Sequence, residues 1–213
     1  NMNVTKDWGW SNATLRVSNN QTRNSYSRFN TSDTNYLPDV TFNIPKWTLP
    51  LIGEIVYNGQ FTNYEYIAIT DNQVTADYKG QRFANKFTKS VKLWEKNDMS
   101  LSTNNQLIYR YYWVDGAGSD FAGLIEGINF QKRFSPALST VVGINYTAKH
   151  GEVPDMFITR FGDNLTDGGA VTNSWSLRLK TFNVNLNSGY NLTYQTFNPL
   201  YISASWNPDA KGS

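Results

Sequence analysis

The most constraining feature of this chain is a period-two alternation over FNVNLNSGYNLTYQT, residues 182–196. One parity reads Phe182, Val184, Leu186, Ser188, Tyr190, Leu192, Tyr194 and Thr196; the other reads Asn183, Asn185, Asn187, Gly189, Asn191, Thr193 and Gln195. Successive side chains on a strand point to opposite faces, so this segment has one largely apolar face and one uncharged polar face. Just upstream, NSWSLRLK at 173–180 sets Trp175, Leu177 and Leu179 against Ser174, Ser176, Arg178 and Lys180. The apolar parity changes from odd to even between Leu179 and Phe182. That change predicts a tight reversal near Lys180 and Thr181 joining two antiparallel strands.

The same grammar recurs along the chain. Residues 102–114 place Leu107, Tyr109, Tyr111 and Trp113 opposite Gln106, Arg110 and Tyr112, with Ile108 as an apolar intruder. Residues 120–148 read as a hairpin turning at FSPALS, and its second arm sets Leu138, Val142, Ile144 and Tyr146 against Ser139, Gly143, Asn145 and Thr147. Further strands are expected at 11–18, 39–44, 49–58, 61–70, 85–95, 156–161 and 200–206. Short turns are expected at 96–98, 135–137, 180–181 and 197–199, and longer polar connections at 19–36, 70–84, 115–119, 149–155 and 162–172. No helical 3.6-residue pattern persists beyond a turn or two. The chain is therefore expected to be all-β with about ten strands, many longer than the usual mode of about 5 to 6 residues. No fixed repeat or linker divides residues 1–213, which are read as a single barrel domain or barrel segment.

Composition narrows the architecture. The 213 residues carry 19 Lys plus Arg against 17 Asp plus Glu, a net charge of +2, too balanced for a protein held to nucleic acid by phosphate neutralisation. Charged residues make up 17% and aromatics 15%, with a mean hydropathy of −0.51, against roughly 25% charged in ordinary soluble domains. No apolar run approaches the roughly 20 residues of a spanning helix. The absence of cysteine excludes disulfide frameworks and thiolate-bound zinc. A soluble sandwich usually carries Lys and Glu on its outer face, whereas the polar parity here is Asn, Ser, Thr, Gln and Gly with sparse Arg and Lys. This matches an antiparallel transmembrane β-barrel, polar inward and apolar outward, with aromatics at the membrane interfaces. Trp113, Tyr146, Trp175 and Trp206 are the interface candidates, alongside Trp8, Trp10, Trp47 and Tyr57 near other strand ends. The last strand, LYISASW, ends in Trp206 and resembles the aromatic-ended terminal strand of bacterial outer-membrane proteins.

Three stretches resemble the barrel of the lipopolysaccharide-assembly outer-membrane proteins. They are Tyr36-Leu37-Pro38-Asp39-Val40-Thr41-Phe42, the hairpin INFQKRFSPALSTVVGINYTAKHGEVPDMF with Gly151, Pro154 and Phe157, and the paired strands from 171 to 206. The resemblance implies a barrel that exports lipopolysaccharide at the outer membrane of a diderm bacterium. Its implied partners are the lipid bilayer, lipopolysaccharide, a plug or periplasmic transport protein, and the barrel-assembly machinery. The family's periplasmic jelly-roll domain and its cysteine pairs have no counterpart here.

Enzymatic chemistry finds little footing. His150 is the sole histidine, in AKHGEVPD, and is read as a surface-loop residue; no Gly-X-Ser-X-Gly elbow accompanies it. Glu54, Glu65, Glu95 and Glu126 lie inside strands at spacings that define no carboxylate pair. Asp163, Asn164 and Asp167 in DNLTDGG are oxygen ligands off the EF-hand spacing and are read as a solvated turn. No catalytic residue, metal or cofactor is assigned. Lys92, Arg110, Glu126, Lys132, Arg178 and Lys180, with Asn183, Asn185 and Asn187, fall on the inferred lumen parity. The charges among them form either a mildly cationic lining or scattered solubilising groups. The resulting expectation is an outer-membrane transport barrel, led by the lipopolysaccharide export that the resemblance implies, with a small porin for polar or anionic solutes or a secreted carbohydrate-binding β-sandwich as alternatives.

Overall fold

A computed structural model describes residues 2–23, 31–49, 53–70 and 73–207. Among them the chain forms strands β1 (Met2–Asp7), β2 (Asn12–Arg23), β3 (Thr31–Leu49), β4 (Gly53–Thr70), β5 (Gln73–Lys96), β6 (Met99–Val114), β7 (Ala117–Arg133) and β8 (Leu138–Gly151). Helix α1 (Asp155–Phe161) follows, then β9 (Gly168–Arg178), β10 (Phe182–Asn191) and β11 (Thr196–Trp206). All eleven strands are hydrogen-bonded in chain order in one antiparallel sheet. Among the described residues β1 and β11 are its edges, so the sheet is not closed. The chain divides into two compact units. The first comprises Asn1–Thr88, Leu107–Gly123 and Lys149–Asn164; the second comprises Lys89–Gln106, Leu124–Ala148 and Leu165–Ser213.

In the first unit the register sorts side chains by chemistry, because directly paired residues share a face. Val4, Leu15, Val40, Phe61 and Phe83 form one row across five strands. On the opposite face Thr5, Thr14, Thr41, Gln60 and Ala84 form a row, and Asn3, Arg16, Asp39, Thr62 and Arg82 form the next. In β6, Leu107, Tyr109, Tyr111 and Trp113 are exposed while Ile108 and Tyr112 are buried on the other parity. Among the described residues seven hydrophobic side chains are buried and thirty-one large ones are exposed, while Asp39, Thr62, Arg82 and Asp163 are buried. Large apolar side chains are thus left exposed on one face, while the buried set is half apolar and half polar or charged.

The second unit is sorted in the same way. Leu138, Leu177, Val184 and Ala204 form one apolar row, and Trp175, Leu186 and Ile202 belong to the next. The opposite face carries Ser139, Ser176, Asn185 and Ser203, then Gly143, Thr172, Gly189 and Asn198. Leu179 donates its N–H to the Phe182 carbonyl at 2.8 Å, closing the reversal expected at Lys180 and Thr181. The other short turn expected at 96–98 is also present, with Asn97 and Asp98 both left-handed (φ 50° and 59°), as a two-residue hairpin turn requires.

Three expectations are corrected. Residues 156–161 form no strand but most of α1. Pro154 cannot donate to a ladder and occupies the N-cap, while Gly162, left-handed at φ 63°, returns its N–H to the Ile158 carbonyl. The polar stretches 19–23, 31–36 and 73–84 are strand rather than connection. Cross-strand pairing replaces apolar alternation there, as in the Lys79–Glu65 ion pair at 2.8 Å. Residues 197–199 belong to β11, and the reversal sits at 192–195. Asn191 Oδ1 accepts the N–H groups of Thr193 and Tyr194 at 2.9 and 3.0 Å there, and Pro199 is tolerated because β11 is an edge.

Candidate functional site

The strongest concentration of chemistry lies on the polar face of the first unit. Asp39 follows Pro38 where the β3–β4 register shifts, between Tyr36 and Asp39. Its Oδ1 accepts hydrogen bonds from Gln60 Nε2 and Thr62 Oγ1, both at 2.9 Å, and its Oδ2 lies 3.7 Å from Arg16 Nε. Gln60 relays the network, its Oε1 accepting from Arg82 Nη1 at 2.7 Å. Arg82 then grips Asp163 with two parallel bonds, Nε to Oδ2 at 2.6 Å and Nη2 to Oδ1 at 2.7 Å. Tyr112 Oη donates to Asp163 Oδ2 at 2.9 Å. Arg110 donates to the Asp163 carbonyl, with its Nε 3.4 Å from Oδ1.

Three guanidiniums (Arg16, Arg82, Arg110) thus face two carboxylates (Asp39, Asp163). Asp163 is 1% and Arg82 6% exposed. A buried ion pair carries a large desolvation penalty, offset only when fork geometry and added hydrogen bonds satisfy both groups. Both conditions hold here. Arg82 also lies 4.8 Å from the centre of the Phe161 ring, and Arg110 5.4 Å from that of Phe121.

Helix α1 brings this cluster together. Phe157, fully buried, packs 4.9 Å from Tyr112 and 6.4 Å from Tyr64, and Phe161 lies 5.9 Å from Tyr64. Gly80 makes room for it, since a Cβ there would stand 3.0 Å from Phe157 Cζ. At the start of the same segment Gly151 (φ +87°) passes so close to the Asp120 carbonyl oxygen that a Cβ would come within 2.1 Å of it. Gly151, Pro154 and Phe157 therefore each have a steric role in delivering Asp163. Beside the cluster a cavity of about 290 Å³ is lined by Thr41, Asn43, Asn58, Gln60, Lys86 and Arg110, among others.

The residues expected to line a lumen fall into three groups. Arg110 joins the cluster. Asn183 pairs with Arg178, and Asn185 and Asn187 continue that polar face beside Ser176 and Ser174. Lys92 shares the strand parity of Ser90, whose hydroxyl lies 3.1 Å from Asn104 Oδ1, and forms an exposed ion pair with Glu95 at 2.8 Å. The others are corrected. Glu126 shares parity with the exposed Leu124, Ile128 and Phe130, whereas neighbouring Gly127 is buried. Lys132 has that same parity at the end of β7 and donates to the Asn97 carbonyl at 3.2 Å. Lys180 lies in the turn after β9, beyond the last paired residue, Arg178.

Of the interface aromatics, Trp113, Tyr146 and Trp206 are exposed, and half-buried Trp175 stacks on Phe134 at 5.6 Å. His150 is exposed at the end of β8. Asp163, read as part of a solvated turn, is instead the hub of the site. Asp39, Gln60, Thr62, Arg82 and Tyr112 were not singled out as site residues either. Their even or odd placement beside Phe61, Phe83 and Tyr111 is the one sequence signal that marks their face. Among the described residues no group of three or more His, Cys, Asp or Glu can hold a metal ion. Compared with family models, curated proteins and solved structures, the chain matches none of them.

Proposed function

We propose that this chain supplies eleven strands of the wall of an outer-membrane β-barrel that moves polar solutes. The observation that carries the reading is an exposed apolar face opposite one that buries charge. Rows such as Val4, Leu15, Val40, Phe61 and Phe83 turn an apolar face outward, while buried Arg82 and Asp163 stand on the other. In water such rows would drive association, whereas against hydrocarbon they are the favourable face. A two-sheet sandwich would put them inside. Aromatics also gather at the short-turn end of each unit: Trp8, Trp10 and Trp47 in the first, and Trp94, Phe134, Phe182 and Trp206 in the second. Amphipathic rings favour the depth where hydrocarbon meets water.

On this reading Lys86 and Arg110, which line the cavity beside the cluster, favour anionic over cationic solutes. Lipopolysaccharide as the cargo, with the partners that the sequence resemblance implies, rests on that resemblance alone. Because the chain has no cysteine, single probes are straightforward to place. A fluorophore at Ile144→Cys should be quenched by brominated lipid, and one at Asn185→Cys by aqueous iodide, in protein refolded into vesicles. Equal iodide quenching at both positions, or a monodisperse protein without detergent, would overturn the proposal.

A further inference from the structure

We infer that the cavity between the β4–β5 hairpin and α1 binds a saccharide chain. This cavity, about 460 Å³, is lined by Tyr64, Tyr66, Tyr78, Asp155, Met156, Thr159 and Arg160. Tyr66 and Tyr78 are paired directly across β4 and β5, their rings 6.2 Å apart and within 11° of parallel. At that separation the rings are offset rather than eclipsed, and Tyr78 is 45% exposed, so an aromatic face stays open. The C–H face of a pyranose lies flat on such a surface, while its rim of hydroxyls needs nearby donors and acceptors.

Helix α1 supplies them. Asp155 and Thr159 are four residues apart and so share a helical face, giving a carboxylate acceptor and a hydroxyl that both donates and accepts. Tyr64, buried and packed on Phe157 and Phe161, forms a rigid floor. A nucleotide would stack equally well, but its phosphates would meet the Asp155 carboxylate, and Arg160 already has an interaction of its own. The chemistry therefore favours an uncharged sugar. The inference stands on a separate cavity and does not depend on the transport reading.

Titration calorimetry of the whole chain with maltohexaose tests it, in whichever medium keeps the protein monodisperse. Saturable binding is expected. The Tyr66→Ala, Tyr78→Ala double variant should weaken it about tenfold or more, as loss of ring stacking does elsewhere. Tyr78→Phe should bind within about twofold of the parent, since the ring rather than its hydroxyl makes the contact. Unaltered thermal unfolding of the single Tyr78→Ala variant, which should also bind more weakly, separates lost contact from lost fold. No saturable binding, undiminished binding by Tyr78→Ala, or tighter binding of ATP than of the sugar overturns the inference. Sugar binding without bilayer insertion would remove the transport reading and leave this site standing; insertion without sugar binding would do the reverse.

Discussion

The polar faces of the two units solve the same problem with different chemistry. In the first unit the face is charged, aromatic and covered by α1: Arg82, Arg110 and Tyr112 converge on Asp163, and Phe157 is wedged above them. In the second unit the rows of Ser139, Ser176, Asn185 and Ser203 and of Val141, Ser174, Asn187 and Tyr201 carry no formal charge, and the charges of that face, Arg178 and Lys92, are exposed rather than buried. Amide and hydroxyl groups exchange hydrogen bonds with water at little net gain or loss, so that face can stay open. The charged face cannot, because each buried ion depends on its partners.

The sharpest way to break this comparison is Asp163→Ala. It leaves Arg82 buried without a counter-charge and should destabilise the protein by about 3–5 kcal/mol, read from urea unfolding followed by tryptophan emission. A loss below about 1 kcal/mol would mean that the ion pair is solvated and that the two faces are alike. Phe157→Ala should come next, at about 3 kcal/mol for a vacated aromatic site, and should raise the proteolytic susceptibility of residues 152–167. Tyr112→Phe removes one hydrogen bond to Asp163 while keeping the ring against Phe157, so about 1 kcal/mol is expected by the same unfolding measurement. Smallest of all should be Asn185→Ala, within about 0.5 kcal/mol. If it matched Asp163→Ala, the second face would have to be a packed network.

What could be read from the sequence follows the same divide. Residues 173–191 were legible because each parity keeps one chemistry over two whole strands, and β10 pairs with β9 in the register that this alternation demands; the same alternation ran on falsely through the reversal at 192–195. Helix α1 was not, because Phe157, Thr159 and Phe161 fit strand alternation as well as the i, i+4 spacing of a helix, and a short segment does not discriminate. Glu126 was misplaced although its own strand announces its face through Leu124, Ile128 and Phe130. The hub of the site lay further out of reach. Asp163 sits in a stretch rich in Asn, Thr and Gly that reads as a turn, and its main partner is 81 residues earlier in the chain.

That separation governs the order in which the protein can be assembled. Arg82 emerges long before the carboxylate that neutralises it, and the first unit draws on Leu107–Gly123 and Lys149–Asn164 after the chain has made segments of the second. Closing so long a loop is entropically slow, although doubling its length adds only about 0.6 kcal/mol. Until α1 docks, Arg82 lacks the carboxylate that neutralises it. Delivery of that one carboxylate therefore ties the end of α1 to a strand laid down 81 residues earlier.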